Sequence, residues 1–211
     1  MAIPFTVEQF YGVFSDYNNA VWPAQVVLLL LALAVVVLVL RPQQWSGVAV
    51  SAVLAFLWAW IAVAYHFTFF RRISPPAYAF AALSMAGAAV FVWQGVIQRR
   101  LTFGWLAGWR SAAGAALIVF ALVAYPVWSA MAGHRYPATA TFGLPCPTTI
   151  FTIGVLAFAR RCSPRGALVV PVLWCFVGAQ AAFLLSVPPD LGLIAAAVVG
   201  ICLFFTARRR A

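Results

Sequence analysis

Lysine is absent from these 211 residues, and the chain holds only three acids, Glu8, Asp16 and Asp190, and two histidines, His66 and His134. Without a lysine amine there is no place for a retinal-type Schiff base. Charged residues make up 8% of the chain and hydrophobic ones 66%, more apolar surface than one soluble core of this size can hide. P-loop, G-x-G-x-x-G, G-x-S-x-G and H-E-x-x-H strings are all missing. The apolar runs lack the carboxylate pairs typical of proton-coupled transport. Cys146, Cys162, Cys175 and Cys202 have no C-x-x-C spacing and suggest no paired framework. No basic residue precedes the first long apolar run, which is unlike a secretory signal.

What is present is a row of long apolar runs, at roughly 20–40, 47–70, 76–97, 112–132, 166–185 and 191–207. Each is about long enough to cross ~30 Å of hydrocarbon. With one shorter segment after the fourth run, they predict an all-α integral membrane protein, a bundle of seven transmembrane helices. All thirteen basic residues are Arg and cluster at run ends, so the charge of +10 speaks for membrane orientation and against nucleic acid. Seven crossings put ten arginines (41, 99, 100, 110, 160, 161, 165 and 208–210) on one side and Arg71, Arg72 and Arg135 on the other. The arginine-rich side is cytoplasmic, so the C-terminus is expected inside and the N-terminus outside, together with all three acids. Three regions follow: an N-terminal amphipathic interfacial segment (1–19), a single transmembrane domain (20–207) and a basic cytoplasmic tail (208–211). In the first, Thr6 is the expected N-cap of a short helix on the membrane surface, with Phe10, Tyr11 and Phe14 on its apolar side.

The fifth segment is irregular. Pro137, Pro145 and Pro147 forbid a regular helix over 133–147, but a helix can begin with Pro147 at its first position. From there to Arg160 is about thirteen residues, or ~20 Å, too short for a full crossing. Either the helix begins below the outer surface behind a buried irregular stretch, or an exposed loop leads to a short, mismatched span.

Polar side chains gather in the outer half of the runs. Gln25, Tyr65, His66, Tyr125, Cys146, Thr148, Thr149 and Gln180 fall at similar depth, and His134 lies just above. They either line one outward-facing cavity or make separate interhelical hydrogen bonds. Cys146, the expected N-cap of the short helix, has three open roles: soft metal ligand, nucleophile, or small packed residue. His66, His134 and Cys146 make an N/N/S ligand set suited to copper or zinc. Three functional readings stand at this point. The first is binding or transport of a small solute or soft metal ion. The second is a membrane-embedded thiol enzyme using Cys146 with His66 or His134 as base. The third is a structural subunit. No residue pattern sets an oligomeric state.

The string TFGLPCPTTIF (141–151), with PFTVEQF (4–10), VWPAQ (21–25), the Tyr65–His66 pair and GHRYP (133–137), resembles a family of small bacterial multi-pass membrane proteins classed as a domain of unknown function. The likeness covers nearly the whole chain. It implies a bacterial inner-membrane location and brings no established activity, although some relatives carry loose permease-type labels. Ala140 departs from the family pattern, where a proline is expected.

Overall fold

The computed structural model describes residues 4–160 and 165–206. The tail at 208–211 and Cys162 lie outside the described residues. Within them the chain forms eight helices and no β-strand, only two isolated bridges. They are α1 (Val7–Val21), α2 (Ala24–Leu40), α3 (Ser46–Arg72), α4 (Ala77–Ile97), α5 (Trp109–Met131), α6 (Pro145–Leu156), α7 (Arg165–Leu184) and α8 (Pro188–Thr206).

Five of them, α3, α4, α5, α7 and α8, have 19–27 residues and are long and apolar enough to cross a membrane. At ~1.5 Å per residue the shortest still reaches ~28 Å. α2 is equally apolar but has 17 residues, and it meets α1 at a bend of 87°. The bend falls at Trp22–Pro23, where proline supplies no N–H to continue the helical ladder.

α1 begins as its sequence dictates. The Thr6 hydroxyl accepts from the Gln9 backbone N–H at 3.2 Å, and the Gln9 side chain accepts from the Thr6 N–H at 2.9 Å. This reciprocal pair satisfies two donors that a helix start otherwise leaves free. The aromatic side of α1 does not face outward as a surface helix would. Phe10, Tyr11, Phe14 and Tyr17 are buried against the rest of the protein. Protein offers aromatic partners at close range: Phe10 meets Phe70, and Tyr17 meets both Tyr65 and Phe69 edge-on.

α6 is the central post. It starts at Pro145, two residues earlier than expected, and ends at Leu156. Twelve residues give only ~18 Å, yet residues 147–159 are all buried. A helix apolar all round needs apolar neighbours all round. α5, α7 and α8 supply them, and α3 reaches in with Trp58, whose indole N–H donates to Thr152 at 3.1 Å. α5 and α6 touch backbone to backbone: a Cβ on Gly114 would lie 2.7 Å from the Gly154 carbonyl oxygen. Small residues permit that approach, as they do between membrane helices generally.

Three of the long helices contain wide π-type turns, at Ile61–Phe67 in α3, Val92–Ile97 in α4 and Phe120–Ala124 in α5. The turn in α5 immediately precedes Pro126, whose missing N–H and bulky ring interrupt the regular ladder. The turn in α3 carries Tyr65 and His66, and both side chains are buried in the bundle.

Candidate functional site

The approach to α6 is set by Gly143 and Leu144. Gly143 has φ +101°, a backbone region that glycine enters freely, and Leu144 is extended. The Gly143 N–H donates to the Thr148 hydroxyl at 3.2 Å, which ties this turn to the first turn of the helix. The helix therefore starts with Leu144 as N-cap and Pro145 at its first position. Cys146 is the second helical residue, not the cap.

Cys146 looks toward an acid that the arginine count left outside. Asp190 sits in the first turn of α8, is 1% exposed, and accepts a hydrogen bond from the Tyr125 hydroxyl at 2.5 Å. The Cys146 thiol faces the same carboxylate. Gly178 in α7 leaves room beside the sulfur: a Cβ there would lie 3.4 Å from Sγ and 3.1 Å from the Trp174 indole nitrogen. Sulfur and indole nitrogen thus flank one glycine, so the Trp174 N–H has the Cys146 sulfur, a weak acceptor, beside it.

In front of Cys146 lies a cavity of about 380 Å³. Its aromatic wall comes from Phe10 and Phe14 of α1, Tyr65, His66 and Phe70 of α3, Phe80 of α4 and Trp174 of α7, and proline and aliphatic residues such as Pro145, Pro147, Leu144 and Val177 make up much of the rest. Pro4, Phe5, Ser74 and Leu185 place its mouth at the end of the bundle where α1, the α3–α4 turn and the α7–α8 turn meet. His66 is 1% exposed, and neither ring nitrogen has a hydrogen-bond partner. Its ring centroid lies 5.0 Å from that of Trp174 and 5.2 Å from that of Tyr65.

Four of the eight expected ligand-binding residues line this cavity: Tyr65, His66, Cys146 and Gln180. Gln180 is exposed at the rim, and its amide donates back to the Phe176 carbonyl at 3.2 Å. Tyr125 stands behind Cys146, on Asp190. Gln25, Thr148 and Thr149 do not line it. Gln25 donates to Asn18, to the backbone oxygen at 2.9 Å and to Oδ1 at 3.2 Å. Thr148 serves the helix start, and the buried Thr149 hydroxyl has no partner.

The expected metal trio does not assemble. Among the described residues no group of three His, Cys, Asp or Glu side chains converges to hold a metal ion. His134 instead stacks on Tyr11, with centroids 3.9 Å apart and planes at 11°. A partly buried imidazole beside an aromatic face gains contact area there, while soft metal binding would need the sulfur and both rings at one point. The nucleophile–base pair is also absent, since neither His66 nitrogen is hydrogen-bonded to Cys146.

Reading the sequence missed Asp190 and did not single out Trp174. Nor did it single out Asn18, which links α1 to the loop before α6. A signal for Asp190 was present: it sits at the head of an apolar run, in a chain with only three acids. Nothing local marks Asn18, because its partners are over a hundred residues away.

An all-helical bundle with five helices long and apolar enough to cross a membrane, and a cavity at one end, fits a multi-pass membrane protein. The chain belongs to a family of unknown function (DUF6064), whose sequence pattern matches residues 7–211. Neither a curated protein nor a solved structure matches it.

Proposed function

We propose that this protein binds a small solute in the cavity beside Cys146, as a receptor or a passive facilitator in a bacterial inner membrane. Seven crossings, α2 to α8, with α6 the partial one, are the topology we infer. The arginine asymmetry supports an outside N-terminus and a cytoplasmic C-terminus. The mouth of the cavity then faces outward, on the side of Arg71 and Arg72. The observation that carries the reading is a concave, mostly apolar space of ligand size, open at one end of the bundle, with the half-buried Cys146 on its wall.

The test is labelling with N-ethylmaleimide in native membranes, followed by mass analysis of the Cys146-bearing peptide. The reading expects Cys146 to react in the folded protein, and the buried Cys175 to react only after unfolding. A Cys146 that stays unlabelled until the protein is denatured would defeat it. A fluorescent protein fused to the C-terminus checks orientation: it should fluoresce, as it does only when left in the cytoplasm.

A further inference from the structure

Behind Cys146 lies a buried carboxyl that takes no part in the cavity wall. Asp190 is 1% exposed at the head of α8 and does not line the cavity. The groups that face it come from four helices: Tyr11 of α1, Tyr65 of α3, Tyr125 of α5 and Cys146 of α6. None is a cation, and no arginine among the described residues forms an ion pair with it. Cys175 of α7 lies near the Cys146 sulfur, His66 packs on Trp174 beside that sulfur, and His134 is joined to this group through its stack on Tyr11. The other two acids are placed differently. Asp16 is exposed and pairs with Arg72, and Glu8 is exposed in the first turn of α1.

An ionised carboxylate away from water and without a cation is costly, and each hydrogen bond offsets part of that cost. Two donors reach Asp190, the Tyr125 hydroxyl and the Cys146 thiol. Neither charge state is left without partners. Ionised, the carboxylate accepts from both. Protonated, it still accepts from Tyr125, and its own O–H can turn to the sulfur, because a thiol both donates and accepts weakly. Cys146 is half-buried and lines the cavity, so it stands between this carboxyl and the cavity.

We propose that Asp190 is a proton-binding site behind the cavity wall, and that the Cys146 thiol carries its charge state to the cavity. The step is a simple protonation: one proton from water joins a carboxylate oxygen, and the thiol turns from donor to acceptor. The link to the cavity rests on the binding reading above, while the proton site does not. With Asp190 ionised, a thiolate at Cys146 is opposed by like charge and by loss of the S–H bond. An anionic solute at the same spot is opposed by the same charge.

The experiment follows N-ethylmaleimide labelling of Cys146, on the full chain in lipid nanodiscs, from about pH 5 to 9. The thiolate is the form that reacts. A thiol with no titrating neighbour therefore labels about tenfold faster per pH unit until it has itself ionised. Wild type should rise, flatten over the interval in which Asp190 loses its proton, and rise again. Asp190→Asn keeps the size and can still accept from Tyr125. It should give an uninterrupted rise and label faster above that interval by about tenfold or more. His66→Phe should keep the flat interval, and its loss there would assign the titration to His66 and overturn the proposal. The carboxyl is also read without altering it. Asp16 and Asp190 are the only aspartates, so aspartate carrying carbon-13 in its side-chain carboxyl reports Asp190 alone in an Asp16→Asn chain. Its solid-state NMR resonance should move with pH over the same interval. A resonance that stays fixed would overturn the proposal whatever the labelling shows. A moving resonance with an uninterrupted rise in wild type would overturn the link to Cys146. Cys146 unlabelled in every native sample would defeat the cavity reading, and the resonance would still decide the proton site.

Discussion

Two buried polar clusters lie near the start of α6, and they are finished differently. Asn18 itself uses every side-chain site, although Gln25 Oε1 and Thr139 Oγ1 beside it have no partner. The Asn18 amide donates to the Pro137 and Thr139 carbonyls at 2.7 and 2.8 Å, and its Oδ1 accepts from Thr141 at 2.7 Å and Gln25 at 3.2 Å. The Asn18 backbone oxygen accepts from Tyr136 as well. Around His66 and Trp174 three ring nitrogens make no hydrogen bond. Asn18 is as buried as His66 and Trp174, although its partners Thr139 and Thr141 are only half-buried. A satisfied cluster fixes one arrangement of the chain, here the docking of α1 and of the loop at 133–144. An unsatisfied one stores an unmet demand for a partner. The first is glue, and the second forms part of the wall of the proposed site.

Substitutions should separate the two. The largest effect is expected for Asn18→Leu, which strands two carbonyls, Thr141 and Gln25 at once. At about 1–3 kcal/mol for each orphaned group, the loss should be about 3 kcal/mol or more, read as a marked fall in thermal stability of the purified protein. A change under about 1 kcal/mol would show that the cluster is dispensable.

Asp190→Ala should come next. It leaves the Tyr125 hydroxyl buried without its acceptor, a loss of about 2 kcal/mol for a bond to a charged or strongly polar group. Combining it with Tyr125→Phe should recover part of that loss, because both partners then go together. A double variant as unstable as the sum of the singles would mean that the two residues act independently.

Thr148→Val should cost about 1 kcal/mol, since it removes the oxygen that receives the Gly143 N–H and keeps the side-chain shape. Hydrogen exchange at Gly143 should speed up while the middle of α6 stays protected. Unchanged exchange there would place the turn's stability elsewhere.

The smallest effect on stability, of opposite sign to the rest, is expected at His66→Phe. Removing two unpaired ring nitrogens from an apolar wall should leave the melting temperature unchanged or slightly raised. A destabilisation as large as that at Asn18 would put His66 among the structural groups and erase the contrast.

Much of this arrangement was legible along the chain. The Thr6–Gln9 cap follows from two residue types three positions apart, and the long runs at 47–70, 76–97, 112–132, 166–185 and 191–207 appear as the five helices suited to crossing a membrane. The short α6 was visible in its prolines, although its start moved from Pro147 to Pro145 because Leu144, not Cys146, turns the chain into the helix. Equal depth along the runs brought Tyr65, His66 and Cys146 to one cavity. It failed for Gln25, Thr148 and Thr149, because depth fixes height along a helix and not the direction a side chain points. It failed more plainly for His134, which found a flat tyrosine instead of a sulfur. Asp190 was overlooked as a buried partner for a related reason. A run boundary says where apolar residues begin, while the fold buries the acid just before it under Tyr125.

By itself the sequence determined the apolar character of the chain, the approximate limits of five long apolar helices, and the break before α6. Those properties depend on hydrophobicity, on proline's missing N–H and on short-range capping, all of which act within a few residues. Only the tertiary structure decided that α1 packs inward, that α6 is enclosed on every side, and that Asn18 is satisfied while His66 and Trp174 are not. Whether a buried polar atom has a partner depends on which distant residues the packed helices bring within about 3 Å, and no local pattern encodes that.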